Sequence, residues 1–157
     1  MAKFLTIIKE PDPILRKRSD KVSNIWTPDV QKLILDMILT MLKNEGVGIA
    51  APQVGINKRI FIVNTADGPI ALINPEITWK SKKTELGEEG CLSIPGVWGH
   101  VRRHIKIKVK AVSKKGEKFA FEAEDLFARI IQHETDHIDG ILFVDRAEKI
   151  YKNDKTK

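Results

Sequence analysis

Cysteine is nearly missing from this 157-residue chain: Cys91 is the only one, so no internal disulfide can form. Aromatic residues are scarce, at 6% with a single tyrosine, which leaves no row of rings on which single-stranded nucleic acid could stack. No apolar run approaches the roughly 20 residues that span a bilayer. The stretch from Met1 to Glu10 mixes Lys3, Lys9 and Glu10 with apolar residues. It has neither the apolar centre of a signal peptide nor the acid-poor makeup of a transit peptide, so a cytoplasmic protein is expected. Repeats, low-complexity blocks and Gly/Ser/Pro-rich linkers are absent as well, so residues 1–157 are expected to form a single domain.

What is present is ordinary in bulk, with 42% hydrophobic and 31% charged residues, enough for a buried core. The net charge of +6 suits a protein that meets polyanions. The lysines are scattered, however, with Lys106, Lys108 and Lys110 alternating along one strand. No specific nucleic-acid site is expected, and at most a weak residence near ribosomes.

Glu10-Pro11-Asp12-Pro13 reads as a turn, because each proline removes a donor and restricts the residue before it. A helix is predicted from Pro28 to Lys43, with Thr27 as N-cap and Pro28 at the first helical position. Val30, Leu33, Ile34, Met37, Ile38, Met41 and Leu42 give it one apolar stripe, and Gly46 and Gly48 end it. Strands are predicted at Arg59–Asn64, Ile70–Asn74 and Ile77–Lys80. Another follows where Ile105, Ile107, Val109 and Ala111 alternate with lysines. Lys114 to Glu117 makes a hairpin turn, with Phe119, Phe121 and Ala123 on the return strand. A last helix runs from Asp125 to Asp139 and is closed by Gly140. Helix, strands, helix points to an α+β domain with a largely antiparallel sheet.

The motif richest in chemistry is His133-Glu134-Thr135-Asp136-His137. Histidines four apart on a helix lie one turn apart on one face, so both rings can reach one ion. A glutamate directly after the first histidine can take a proton from water beside that ion. A chance pair on a surface would look alike, but only four histidines exist and two fall in this pattern. A catalytic site of this kind keeps three protein ligands and an open position. The metzincin pattern requires a third histidine where Phe143 stands, and therefore fails. A zincin-like peptidase would need an acid downstream, with Asp145 and Glu148 as candidates. Cys91 is the other candidate ligand, although a lone thiol is more often a small buried apolar residue. Gly90 and Ser93 flank it and predict a loop or strand end, and a thiolate suits a borderline metal.

Gly46 to Gly55 superficially fits a dinucleotide fingerprint, but it follows a helix and Pro52 interrupts it. It reads instead as a small-residue loop that lets backbone approach something closely. Beside it, the neutral amide of Gln53 suits a developing oxyanion.

Three stretches in order, Gly46 to Gln53, Glu89 to Ser93 and Gln132 to His137, resemble those of the peptide deformylase family. The resemblance extends from Pro11-Asp12-Pro13-Ile14-Leu15 to Leu142-Phe143-Val144-Asp145. It implies largely antiparallel sheets around a helix in the C-terminal half that carries the histidine motif. It also implies a hydrolase that removes the formyl group from the formylmethionine of nascent polypeptides and releases formate. By position, Cys91, His133 and His137 would bind one divalent metal, usually Fe(II), with Zn(II), Ni(II) or Co(II) able to replace it. Glu134 would be the catalytic acid/base, with Gln53 and the Leu92 N–H binding the oxyanion. The backbone of Val47 and Gly48 would line the substrate groove. Leu126 and Ile130, on the histidine face of the helix, are lining candidates for the methionine pocket and equally plain core positions. Departures are Thr135, Ile138 and Trp98, the last where some members carry a basic residue. Arg103 could pair with Glu89 to hold the cysteine loop. The end from Glu148 to Lys157, with Lys152, Asp154, Lys155 and Lys157, is shorter than the C-terminal helix often found in the family, and the sequence leaves open whether it docks to the ribosome. A monomer is the default.

A third reading, a basic module with a structural metal, would require four closed ligands and so would recruit His100 and His104, which are expected to be exposed.

Overall fold

The computed structural model describes residues 2–152. Helix α1 spans Pro28–Lys43, the predicted bounds. Its Thr27 Oγ1 accepts a hydrogen bond from the Val30 amide at 3.3 Å, satisfying a donor that the helix leaves without a partner, a cap worth about 1 kcal/mol. Val30, Leu33, Ile34, Met37 and Met41 are buried, whereas Leu42 is 46% exposed. At 100° per residue Leu42 lies well around the cylinder from Met37 and Met41, so it leaves the stripe to which its hydrophobicity had assigned it.

The strands are β1 (Gly48–Ala50), β2 (Ile60–Thr65), β3 (Gly68–Lys80), β4 (Thr84–Cys91), β5 (Ile94–His104), β6 (Lys106–Val112), β7 (Lys118–Glu124) and β8 (Lys149–Lys152). Helices α2 (Asp125–Ile138) and α3 (Phe143–Arg146) lie between β7 and β8. Five strands form one antiparallel sheet in the order β1-β2-β3-β6-β7, and three form another in the order β4-β5-β8. The fold is therefore the expected α+β arrangement.

Strand β2 shows how the layers are built. Ile60 and Ile62 pack with Ile34, Met37 and Met41 of α1. Phe61 and Val63, pointing the other way, pack with Ala128, Ile131 and Ile138 of α2. The sheet is covered on both faces at this point, which is why β2 reads as an unbroken apolar run rather than an alternation. Strand β6 lies further out and alternates. Ile107, Val109 and Ala111 are buried, while Lys106, Lys108 and Lys110 pair with Glu122, Glu124 and Glu76 across the neighbouring strands.

Two predicted short strands, Ile70–Asn74 and Ile77–Lys80, are one long strand, β3. Asn74 takes a positive φ of 49° and Pro75 follows it. The pairing with β6 shifts register between Ile73 and Glu76 and again between Ile77 and Trp79. These irregularities bend the strand without ending it. The pair β4 and β5, absent from the sequence-based prediction, runs in register from Thr84 with His104 to Gly90 with Trp98. His100 and His104, expected to be exposed ahead of a strand, are half-buried within β5. His104 Nδ1 is 2.7 Å from the Ser81 carbonyl.

Helix α2 lies between the two sheets, touching β1, β2, β6 and β7 on one side and β5 on the other. Its C-terminus is closed by Gly140, with φ 78°, and a Cβ there would lie 2.6 Å from the Arg16 carbonyl oxygen. Glycine is thus required by both conformation and space. Arg59 donates to the last helical carbonyl, that of Ile138, at 3.0 Å. The short strand β8 pairs with β5, and the Tyr151 hydroxyl bonds to Glu88. At the C-terminal end, Lys152 closes β8, while Asp154, Lys155 and Lys157 lie outside the described residues.

Candidate metal centre

Helix periodicity puts His133 and His137 one turn apart on α2, with ring centroids 5.0 Å apart. Cys91 arrives from the other sheet as the last residue of β4, directly before the Leu92–Ser93 turn into β5. Its Sγ lies 3.2 Å from His137 Nε2. The ligand atoms of Cys91, His133 and His137 all lie within 4.8 Å of one another. One thiol and two imidazoles brought this close form the donor set of a borderline divalent metal such as iron, zinc, nickel or cobalt.

His133 is held from behind, whereas His137 Nδ1 is buried without a hydrogen-bond partner among the described residues. His133 Nδ1 is 2.8 Å from Glu89 Oε1. Glu89 also accepts two bonds from Arg103, at 2.9 Å each, and one from Arg129 at 2.7 Å. Burial alone would raise the pKa of Glu89, but the Arg103 and His133 hydrogen bonds and their charges outweigh it and bring it down to about 2. An ionised Glu89 keeps a proton on His133 Nδ1, so that it is Nε2 that faces the site. Arg103 reaches onward to Asp136 at 2.6 Å, and Asp136 accepts two further bonds from Arg146. The pairing of Arg103 with Glu89 suggested by the sequence is thus present, inside a larger buried network. Nothing in residue type or spacing marks Asp136, Arg129 and Arg146 as members of it.

Glu134 is buried, and its Oε1 has no hydrogen-bond partner among the described residues. Burial pushes its pKa up to about 7, against the lowering pull of a charged His133. A carboxyl poised there can both take and return a proton near neutral pH. On His133, burial opposes the charged form, but contacts with Cys91 and Glu89 outweigh it and raise the pKa well above that of ordinary imidazole. Burial and the His133 charge hold His137 well below. An orphaned carboxylate oxygen beside a convergent thiol and two rings fits a site built for a metal and a water.

The glycine loop closes the other side. Gly46-Val47-Gly48 leads into β1, and a Cβ on Gly48 would lie 2.6 Å from Glu134 Oε2. The close approach expected of this loop is therefore to the Glu134 carboxyl. Gln53 is fixed by its Oε1, which accepts from the Ala50 amide at 2.9 Å. Its Nε2 donates to Ser93 Oγ at 3.2 Å and to Cys91 Sγ at 3.4 Å. Leu92 stands in the turn beside them. Val47 is 57% exposed. Ile130 packs partly against the buried group of Phe61, Val63 and Ile131, whereas Leu126 is 67% exposed at the start of α2, near Leu86 and Gly87 in a cavity of about 180 Å³. Trp98 covers Gly90, where a Cβ would meet its ring at 2.5 Å.

The buried network should be visible in acid. The Glu89 pKa falls from an ordinary 4.5 to about 2 on folding, which corresponds to about 3 kcal/mol. The folded-state pKa is the lower one, so this contribution is whole above pH 4.5 and is lost as the pH descends through 2. Urea denaturation of metal-free protein from pH 6 to pH 2 should show that decline, and Glu89→Gln should flatten it.

The profile of the polypeptide deformylase family matches residues 4–153. A peptide deformylase from Desulforudis audaxviator is 46% identical over 147 residues, covering 93% of this chain and 95% of that protein. Peptide deformylase 1 of Clostridium acetobutylicum is 52% identical over 141 residues, covering 90% and 93%. Among solved structures, the peptide deformylase from Thermotoga maritima superposes with a TM-score of 0.90 at 43% identity, over 94% of this chain and 99% of that one. One from Synechococcus elongatus, in complex with actinonin, gives 0.89 at 41% identity, over 95% and 82%.

Proposed function

Because the chain belongs to the peptide deformylase family, whose members remove the N-formyl group from nascent polypeptides, we propose how its own residues divide that work. Cys91, His133 and His137 hold one divalent metal. The observation that carries this is their convergence, from the end of β4 and from helix α2, to within 4.8 Å. Fe(II) is the proposed working metal, with Zn(II), Ni(II) or Co(II) able to occupy the same donors, since a thiolate with two imidazoles suits them all. The bound ion supplies Lewis acidity, making water a better nucleophile at neutral pH and polarising a carbonyl oxygen.

The remaining steps belong to side chains and backbone. The formyl group, with only hydrogen on its carbonyl carbon, is small enough for a tight site. Glu134 takes a proton from the attacking water and returns one to the leaving amine, so that formate and a free amino terminus depart. Gln53 Nε2 and the Leu92 N–H hold the charge that develops on the formyl oxygen, each donor worth on the order of 3 kcal/mol. The backbone of Val47 and Gly48 carries the peptide, and Leu126 and Ile130 border the methionine side chain. Gly48 matters doubly, since the absence of a Cβ leaves room for the Glu134 carboxyl.

Among the described residues, no helix is long and apolar enough to cross a membrane. Residues 1–157 are proposed to act as one catalytic domain, as a monomer in the cytoplasm. The net charge of +6 supports at most a weak association with ribosomes.

Formate release from formyl-Met-Ala, by protein prepared anaerobically with iron, tests the assignment. Wild type should release formate, and Cys91→Ala should lose both bound metal and activity. Stoichiometric metal in Cys91→Ala would overturn the ligand set.

A further inference from the structure

The donors of the site come from two bodies: the sulfur from the β4–β5 hairpin and both rings from α2. Something must set the distance between them. Arg129 stands one turn before His133 on α2, so both side chains face the hairpin. Its Nη1 donates to Glu89 Oε2 at 2.7 Å and to the Val101 carbonyl at 2.8 Å. Its Nη2 donates to the Glu85 carbonyl at 2.7 Å. One guanidinium therefore bonds to both strands of the hairpin and to the carboxylate that orients His133.

The hairpin is shaped to admit it. Gly87 pairs with Val101, and a Cβ on Gly87 would lie 2.7 Å from Arg129 Cζ and 2.8 Å from Nη2. Gly87 has no positive φ, so its backbone conformation does not call for glycine; the guanidinium does. The Arg129 side chain is 13% exposed, and lysine, with one point charge and no fork, could not make these bonds together.

From this geometry we infer that Arg129, seated over Gly87, is a positioning residue for the metal centre: it locks the cysteine hairpin to the histidine helix and fixes the gap between Cys91 and the two rings. Exposed ion pairs contribute little. This one is mostly buried, includes two main-chain acceptors and shares Glu89 with a ligand, which is the kind of support whose loss lowers metal affinity about 10- to 100-fold. The inference rests on the ligand set proposed above.

Cobalt(II) titration against a competing chelator tests it, read by the thiolate-to-cobalt absorption band and by the apparent dissociation constant. The melting temperature of the metal-free protein is recorded alongside. Arg129→Met and Gly87→Ala should each weaken cobalt binding tenfold or more and shift the band. The double variant should be little worse than either, because both remove the same contact. If Arg129→Met does not fold, Arg129→Lys and Gly87→Ala carry the same test. Cobalt affinity within twofold of wild type and an unshifted band, with only the melting temperature lowered, would reduce Arg129 to a fold-stabilising residue and overturn the inference. So would fully multiplicative effects in the double variant. A wild-type protein with no thiolate band, matching Cys91→Ser, would overturn the ligand set itself and the positioning role with it.

Discussion

Glu134→Gln is expected to lower deformylation by a factor of about 10² to 10⁴ and to leave metal content at the wild-type level. Glutamine keeps the size and shape of the side chain, so it fits against Gly48 as the glutamate does. It cannot accept a proton from water or pass one to an amine. In wild type the carboxyl is buried with an oxygen that bonds to no described residue, and its pKa is pushed up to about 7. Both features are unfavourable for a merely structural carboxylate and favourable for one that shuttles protons. Metal analysis of the purified variant, beside its kcat on formyl-Met-Ala, separates the roles. A Glu134→Gln protein with more than a tenth of wild-type kcat would remove Glu134 from the reaction. One that lost its metal would make it a ligand.

The largest effect on stability is expected at Arg103. Its guanidinium, 4% exposed, bonds twice to Glu89 and once to Asp136. Burial alone would lower its pKa, yet these two carboxylates raise it. Arg103→Met keeps much of the apolar stem and strips the shared partner from two buried acids. Glu89 retains Arg129 and His133, and Asp136 retains Arg146, so neither is left bare. The remaining imbalance should still destabilise the metal-free protein by about 3–5 kcal/mol, the range for breaking a buried pair from one side. That is a large part of the 5–15 kcal/mol typical of a whole domain. Arg103→Lys should recover only part, because an ammonium cannot bridge both acids in this geometry. Urea denaturation at pH 7 measures both. A loss under 1 kcal/mol for Arg103→Met would mean that the network contributes little net stability.

The parts of the molecule legible from sequence are those whose reasons are local. Helix α1 announces itself through Thr27, Pro28 and a run of apolar residues at helical spacing, and the structure returns Pro28–Lys43. Helix α2 does likewise, ending at Ile138 before the left-handed Gly140. His133, Glu134 and His137 are marked by residue type and spacing, while Cys91, one candidate among several on its own neighbourhood, is joined to them by the family resemblance; the structure brings its sulfur and both rings within 4.8 Å. The β4–β5 hairpin was illegible. Thr84 to Cys91 reads Thr-Glu-Leu-Gly-Glu-Glu-Gly-Cys, with no alternation and two glycines that argue against a strand. Both glycines serve distant side chains, Gly87 making room for Arg129 and Gly90 for Trp98. Such reasons exist only once the chain has folded. Glu89 presents the same difficulty. It sits two residues from Cys91 in an acidic pair with Glu88, and nothing local tells which of the two turns inward. The structure buries Glu89 and leaves Glu88 exposed, bonded to Tyr151.

The meeting of Cys91 with His137, 46 positions along the chain, has a meaning beyond chemistry. With one cysteine, this protein can tie no covalent loop. An ion held at both places, as proposed, would close one anyway, restricting the open chain as a crosslink does. Unlike a covalent tie, its strength follows the free ion concentration, rising by about 1.4 kcal/mol for each tenfold excess over the dissociation constant. On the proposed ligand set, durability of the fold would be tied to ion supply, and a chelated cell extract would contain a protein both idle and easier to unravel.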